Sequence, residues 1–473
     1  MIRASTYSVG EMTRRDLLAR SVAALSASQE VLSARAGLDA NEMLKRVKTP
    51  VFPARTFPIT QFGAVSDGNM LCAKAIADAI RACAQAGGGS VIVPSGRFLT
   101  GAVHLDSNVN LHLEEGATLA FSTDPKHCLP AVFTRFEGTE CLNYSPFIYA
   151  FEKTNVAITG KGVLDGQAGL DHWWPWAGKE RLGWSKGTPN QENGRNALTA
   201  MGDKDIPVAQ RIFGEGHLLR PNFIQPYRCT NVLIEGVRIV RSPMWEINPV
   251  LCRNVTVRGV EIDSHGPNND GCDPESCDGM LIADCTFSTG DDCIAVKAGR
   301  NRDGRRVNVP CQNLVIRDCV MQDGHGGVSI GSEVSGGIRN VLIENCKMSS
   351  PNLERALRIK TNSYRGGVIE NIGFRNIAVG EVKEAVIEVD YFYQEGEGGP
   401  FMPVVRGIDV ANVTSQKSKH AIFMRGYKKS PVGGVTVANC KFENCAEGTF
   451  FENVEGVGFR NVTVNGRLLE EHR

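Results

Sequence analysis

The chain has 473 residues, of which 42% are hydrophobic and 51 are glycine, so it is long enough to bury a large core. Lysine plus arginine and aspartate plus glutamate both number 52, and the formal net charge is zero. Such a chain has no long-range field that would attract nucleic acid or an anionic membrane surface, so we expect neither as a partner.

The first 36 residues have the features of an export signal. Residues 13–18, TRRDLL, place two arginines before a mildly apolar stretch, and residues 33–36, SARA, supply small side chains for cleavage. The stretch resembles a twin-arginine signal, which predicts a periplasmic or secreted protein; the alternative is a frayed basic helix. We expect residues 37–54 to be a linker and residues 55–473 to form one domain.

One segment near the start of this domain has helical periodicity. Residues 71–85, LCAKAIADAIRACAQ, combine many alanines with spaced Leu, Ile and Cys, which predicts a short amphipathic helix. Helical periodicity is nearly absent from the rest of the domain. We therefore expect this helix to cap the N-terminal end of a β structure.

A seven-residue pattern recurs from residue 155 almost to the C-terminus, as in NVLIEGV at 231–237, NLVIRDC at 313–319 and GVTVANC at 434–440. The second, fourth and seventh positions are apolar, and the sixth is Gly, Asp or Asn, which tolerate a left-handed backbone. Most copies start roughly 22 to 36 residues apart, the size of one structural coil. Strand, bend and strand at this spacing predict an all-β, single-stranded parallel β-helix.

The odd number of cysteines, 15, argues against a complete disulfide framework. Four of them occupy the seventh, inward position of the repeat, where core packing explains them better than redox chemistry. These four are Cys285, Cys319, Cys346 and Cys440. Cys272/Cys277 and Cys440/Cys445 are close enough in sequence to pair, with packed thiols as the alternative.

The copies at residues 155 and 231 are 76 residues apart, where one coil would suffice, which predicts an insertion at about 166–220. The insertion is rich in tryptophan and also carries Lys179 and Arg181, a combination that suits a binding surface. Its tryptophans are Trp173, Trp174, Trp176 and Trp184. The alternative is that they anchor the insertion to the β-helix.

Several polar residues of the central copies recur at coil spacing. They are Asp270, Asp291, Asp292, His325, Arg358, Lys360 and Tyr391. Asp292, His325, Arg358 and Tyr391 follow one another at intervals of 33 residues, and coils stack about 4.8 Å apart. Each residue alone is better explained as a turn, a loop or a solvated strand position. Together they predict an active site in which carboxylates lie beside a histidine and two cations.

Four short segments carry a resemblance to a known family. They are NNDG at 268–271, GDD at 290–292, GHG at 324–326 and RIK at 358–360. They resemble the motifs of the glycoside hydrolase family 28 polygalacturonases, although Asn269 stands where threonine is common. The resemblance covers about residues 55–465. It implies a right-handed, pectin-lyase-like β-helix that hydrolyses α-1,4 bonds between galacturonic acid units with inversion at the anomeric carbon.

The resemblance also implies catalytic roles. Asp291 would be the general acid, and Asp270 and Asp292 would activate the attacking water. His325 would orient or tune the acid. Because crowded carboxylates raise one another's proton affinity, we expect Asp291 to be held protonated. We expect no metal and no other cofactor, since the two carboxyl roles complete the mechanism.

Four further residues are expected to bind substrate. Arg358 and Lys360 would pair with the carboxylates of galacturonan. Asn268 in the first motif and Tyr391 in VDYFY are the other two expected substrate contacts.

An insertion lying over one end of the cleft would admit only a chain terminus. We therefore expect a monomeric enzyme that removes units from the non-reducing end of a pectic polysaccharide or oligogalacturonide. Three alternatives remain open at this point: a rhamnogalacturonan hydrolase, a calcium-dependent pectate lyase and a noncatalytic glycan-binding β-helix.

Overall fold

The structure is a computed structural model and describes residues 38–470. The predicted export signal, residues 1–36, lies outside this range. The predicted linker contains helix α1, Ala40–Leu44, whose first turn is capped by Asp39. The amide of Lys48 donates to Asn254 Oδ1 at 3.3 Å, so this segment lies along the β-helix.

The domain is a parallel β-helix in which each strand pairs with its equivalent one turn later, and this confirms the predicted fold. The strands of the β-helix form three sheets. Sheet 1 consists of Thr56–Pro58, Gly89–Val93, Val109–Leu113, Thr154–Gly160, Thr230–Glu235, Arg253–Arg258, Asp278–Ala283, Cys311–Arg317, Ile338–Glu344, the first parts of Val368–Glu381 and Val404–Arg425, and Val432–Phe442 and Val454–Val464.

Sheet 2 follows sheet 1 in each turn and continues into the later parts of the long strands. It consists of Asp67–Leu71, Gly96–Thr100, Ala117–Phe121, Val163–Asp165, Arg238–Val240, Glu261–Ser264, Thr286–Thr289, Val320–Met321 and Lys347–Met348.

Sheet 3 completes each turn, and single-residue bridges at Ile247 and Cys272 keep it continuous where no strand is assigned. It consists of Val103–His104, Ile148–Phe151, Ile224–Tyr227, Ile294–Val296, Val328–Ile330, Arg355–Lys360, Ala385–Asp390, the end of Val404–Arg425, and Cys445–Glu452.

The remaining elements cap or cover the β-helix. Helix α2, Ala73–Gln85, packs its apolar face against the first strand of sheet 1, as a cap would. An antiparallel hairpin, Val132–Phe136 with Thr139–Asn143, was not predicted. The others are α3 (Glu192–Asp203), α4 (Asn301–Val307), strand Arg467–Leu468 and the 3-10 turns Ile59–Phe62, Pro125–Cys128, Trp174–Ala177, Glu180–Leu182, Val208–Gln210 and Gly396–Gly398. Among residues 38–470 no helix is long and apolar enough to cross a membrane.

The repeat pattern accounts for the core. Its second positions stack in register through sheet 1 as Val232, Val255, Met280, Leu314, Val341 and Ile372. The predicted bend residues all have positive φ, for example 78° at Gly236 and 57° at Asn345. The first-position asparagines also have positive φ, and their carboxamides form a ladder, as in the 2.8 Å bond from Asn254 to Asn231. All fifteen cysteines are buried and unpaired, which confirms the core assignment of the four repeat cysteines.

Candidate active site

The outward face of sheet 3 forms the floor of the site. Ile294, Val328 and Leu357 point into the core in successive turns. Because side chains alternate along a strand, the residues beside them point outward. Ser329 and Arg358, paired in register, belong to this outward row. A sheet face that would ordinarily be solvated is here polar and buried.

Three carboxyl groups meet at the edge of this floor. One oxygen each from Asp270, Asp291 and Asp292 lies within 4.8 Å of the others. Two glycines permit this crowding. A Cβ on Gly324 would lie 2.6 Å from the carbonyl of Asp291, and one on Gly326 would lie 2.4 Å from Ser329 Oγ. A side chain at Gly324 would therefore meet the backbone of the neighbouring turn, and one at Gly326 would displace the serine that donates to Asp292.

Of the three carboxyl groups, Asp292 has the most positive charge around it. It has no exposed surface, Lys360 Nζ lies 2.5 Å from its Oδ2, and Ser329 donates to its Oδ1 at 2.7 Å. Arg358 Nη1 lies 3.5 Å from Oδ1. Burial acts to raise the pKa of Asp292, but these cations outweigh burial and hold the pKa well below its usual value. Asp292 is therefore ionised.

Asp291 forms a pair with His325. His325 Nδ1 and Asp291 Oδ1 are 2.9 Å apart, and the amide of Asp292 also donates to this oxygen. Burial acts to raise the pKa of Asp291, but the hydrogen bond from His325 outweighs it, so the pKa is lowered. The same hydrogen bond raises the pKa of His325. The proton is thus shared by the pair and lies on the imidazole side in the free protein.

Asp270, not Asp291, carries the raised pKa. Burial is the main cause, and the neighbouring carboxylates of Asp273 and Asp291 add to it. Lys297 Nζ, 3.6 Å from Asp270 Oδ2, offsets only part of the effect. The expectation that crowding helps to hold Asp291 protonated is therefore wrong for the free protein, because the histidine lowers the pKa of Asp291 more than Asp292 raises it.

Two buried charged residues of the site were missed by the sequence interpretation. Lys297 Nζ lies 3.4 Å from Glu333 Oε2 and 4.4 Å from the centre of the Trp245 ring. Burial acts to raise the pKa of Glu333, but Lys297 and, less strongly, Arg365 outweigh it and hold the pKa at about 2. Lys297 could have been found, because it lies on the same alternating outward row as Ala295. Glu333 has no comparable signal.

The cationic part of the site lies on the strand Arg355–Lys360. Lys360 is buried and Arg358 is mostly buried beside Asp292, and the ring of Tyr393 lies over them, 5.5 Å from the guanidinium carbon and 5.3 Å from Nζ. The three carboxylates could surround a cation geometrically. Lys360 and Lys297 already supply positive charge there.

Comparison with known proteins identifies the family to which the chain belongs. A profile of the family described as glycosyl hydrolases family 28 matches residues 213–462. The crystal structure of a hyperthermoactive exopolygalacturonase from Thermotoga maritima is 46% identical, with a TM-score of 0.88, covering 90% of this chain and 96% of that one. The chain belongs to glycoside hydrolase family 28.

Two other similar proteins span most of the domain. A probable polygalacturonase of Vitis vinifera is 30% identical over 409 residues, which cover 82% of this chain and 74% of that protein. The structure of a polygalacturonase from Erwinia carotovora ssp. carotovora is 25% identical, with a TM-score of 0.64, and covers 87% of this chain and 98% of that one. This family 28 protein is a glycoside hydrolase, and this argues against a noncatalytic β-helix and against a lyase.

Tyr391, the expected substrate contact, is wrongly assigned. Its side chain is fully buried in the core, and its hydroxyl accepts from the amide of Val405 at 2.9 Å. Tyr393, two residues later, is the tyrosine that lies at the cations. The spacing of 33 residues misled because Arg358 pairs in register with Ser329 and Glu388, not with His325 and Tyr391.

The two asparagines of the first motif differ in burial and in hydrogen bonding. Asn269 is fully buried and holds the loop together, since its Nδ2 donates to the carbonyls of Ser242 and Met244. Asn268 is half-buried, and its Oδ1 accepts from Arg220 at 2.8 Å. Asn268 therefore remains a candidate for substrate binding, and Asn269 is structural.

The insertion packs beside the site through its tryptophans. Trp173 is buried, and Trp174 Nε1 donates to the carbonyl of Ser242 at 2.9 Å. A Cβ on Gly266 would lie 2.3 Å from this indole nitrogen, so Trp174 contacts the loop that carries the first motif. Trp176 also packs on the core. The anchoring interpretation therefore holds for these three tryptophans.

Proposed function

We propose that this family 28 enzyme is a polygalacturonase that hydrolyses the α-1,4 bonds of pectic galacturonan. The observation that carries the proposal is the pair of cations, Arg358 and Lys360, directly beside the catalytic carboxylates. Besides holding Asp292 ionised, these cations can pair with the carboxylate that each galacturonate unit carries and a neutral glycan lacks. The names of the similar proteins, which are polygalacturonases, support the same substrate.

The proposed chemistry follows from the protonation of the site. Asp291 donates the proton that it shares with His325 to the leaving oxygen. Binding of an anionic sugar and exclusion of water would move this proton from the imidazole to the carboxyl group. Ionised Asp292 accepts the proton of the attacking water. Asp270 Oδ1, which is buried without a hydrogen-bond partner in the described chain, is free to hold that water.

Inversion at the anomeric carbon is proposed from the family resemblance. The closest carboxyl oxygens lie within 4.8 Å, nearer than the separation usual for inverting enzymes. Proton NMR of the product within seconds of cleavage tests the stereochemistry. A β-anomeric signal first, followed by mutarotation, is the expected result, and an α-anomer first would require a covalent intermediate.

Exo-cleavage from the non-reducing end is also proposed. It is supported by the insertion packed against the first-motif loop and by 46% identity to a protein described as an exopolygalacturonase. In a time course on long polygalacturonate we expect early galacturonate or its dimer with little fall in viscosity. A ladder of mid-length oligomers with a rapid fall in viscosity would contradict closure of the cleft.

Asp291→Asn tests the site. The variant should fold normally and lose reducing-sugar release from polygalacturonate, and unchanged release would remove Asp291 from the mechanism. Wild-type enzyme should act far more slowly on rhamnogalacturonan. Unsaturated, ultraviolet-absorbing products that disappear in chelator would instead indicate a calcium-dependent lyase.

We further propose export to the periplasm or medium, on the sequence of residues 1–36, and a monomer in solution. Cell fractionation with the two arginines at positions 14 and 15 replaced by lysine tests export, and light scattering tests the monomer.

A further inference from the structure

Arg220, the last residue of the insertion, is fully buried, and in the described part of the chain its hydrogen bonds all go to neutral oxygens and none to a carboxylate. Burial is the main cause that lowers its pKa to about 10. A guanidinium buried without an anionic partner is costly unless its hydrogen bonds are made. The hydrogen bonds of Arg220 therefore indicate its role in the structure.

Those contacts converge on the loop that carries the first motif. Arg220 Nη1 donates to the carbonyls of Pro267 at 2.6 Å and Pro243 at 2.8 Å, and Nη2 donates to Asn268 Oδ1 at 2.8 Å. Its Nε donates to Gln191 Oε1 at 3.0 Å, at the start of helix α3. One side chain thus ties the insertion to two adjacent turns of the β-helix.

The contact with Asn268 has a chemical consequence. A guanidinium has donors only, so it selects the acceptor end of the carboxamide. The Nδ2 group of Asn268 is left without a partner among residues 38–470 and is the end available to an oxygen of the substrate. Asp270 follows two residues later, so the same clamp fixes the backbone that carries this carboxyl group.

We propose that Arg220 is a positioning residue for the hydrolytic reaction, holding Asn268 and the Asp270 backbone in the geometry that catalysis needs. Arg220 lies outside the four family motifs and, being fully buried, presents no surface to a substrate. The insertion would therefore do more than close the cleft, because it also completes the catalytic loop. This inference rests on the proposed polygalacturonase function.

Arg211 provides a matched control. It is also fully buried and belongs to the same insertion, but its Nη1 lies 2.6 Å from Asp303 and also donates to the carbonyl of Glu140. Arg211 contacts no motif residue. Loss of either arginine should lower thermal stability, whereas only loss of Arg220 should displace the catalytic loop.

The test uses the full chain and oligogalacturonate, with Arg220→Met, Arg220→Lys and Arg211→Met compared at equal folded fraction by circular dichroism. We expect kcat/KM to fall about 100-fold in Arg220→Met, as for a misplaced catalytic group, and less than about threefold in Arg211→Met. Arg220→Lys, which keeps the charge but not the fork, should also be impaired and provides the measurement if the methionine variant does not fold.

A double-mutant cycle with Asn268→Ala separates positioning from general stability. If Arg220 acts through Asn268, the double variant loses less activity than the product of the two single losses. Independent effects, or equal losses in the Arg220 and Arg211 variants, would overturn the inference. If wild-type enzyme does not release galacturonate at all, the proposed function fails first, and the two failures are distinguished.

Discussion

Lys360→Met removes the cation closest to Asp292 and preserves most of the side-chain volume. Lys360 Nζ lies 2.5 Å from Asp292 Oδ2, and neither side chain is appreciably exposed. Removing one member of a buried ion pair leaves the other charge without compensation, which costs about 3–5 kcal/mol. Arg358 at 3.5 Å and the hydrogen bond from Ser329 remain, so we expect a value near the lower end.

This loss translates into a small but measurable change in thermal stability. For a domain of this size the entropy of unfolding is roughly 0.9 kcal/mol per kelvin, so a loss near 3 kcal/mol should lower Tm by about 3–4 °C. The lowered pKa of Asp292 stabilises the fold above its ordinary value of 3.8, and this stabilisation disappears as the pH falls toward the folded value. The Tm difference should therefore be largest near pH 7 and narrow below about pH 4.

Activity should respond in the same direction. Without Lys360 the pKa of Asp292 rises, so the acidic limb of kcat/KM moves to higher pH, and kcat/KM at the optimum falls about 100-fold. Lys417→Met is the control, because Lys417 forms an exposed pair with Glu381 at 2.7 Å that is worth at most about 1 kcal/mol. An unchanged acidic limb, or equal Tm losses in both variants, would refute this account of Asp292.

Three further predictions concern other parts of the structure. Tyr393→Ala should raise KM for galacturonate oligomers about tenfold with little change in Tm, whereas Tyr391→Ala should destabilise the fold by about 3–5 kcal/mol; the reverse pattern would restore Tyr391 as the substrate contact. The alkaline limb of the pH profile of kcat should lie above pH 6.5, the ordinary pKa of histidine. In His325→Gln this limb should move to lower pH, because Asp291 then holds its proton alone. A limb that does not move would contradict proton sharing. Cys319→Val should cost less than about 1.5 kcal/mol and leave activity intact in reductant, as measured by urea unfolding; a large loss would assign this core thiol a bonding role.

Much of the β-helix could be predicted because its contacts join residues one turn apart. Val232 and Val255 stack in sheet 1, and their sequence neighbourhoods show the same alternation. The bends were predictable for a similar reason, since a left-handed residue must recur at each corner. The first-position asparagine ladder has an equally regular signal, but its amide bonds depend on the turns being stacked.

The error at Tyr391 shows where periodicity fails. Successive inward residues of sheet 3, from Cys272 through Ile294, Val328 and Leu357, are separated by 22, 34 and 29 residues. Turns differ in length because their loops differ, so a constant interval drifts out of register. A shift of one residue turns a side chain from the cleft into the core.

The sequence by itself determined which residue types face inward, where the chain bends, and that carboxylates, a histidine and cations gather on neighbouring turns. These properties follow from local alternation and from motifs within single coils. Only the tertiary structure decided which carboxyl group holds a proton and which arginine supports the catalytic loop. Both depend on distances between groups far apart in sequence, such as Asp292 to Lys360 and Arg220 to Asn268, and proton affinity changes steeply with distance and burial.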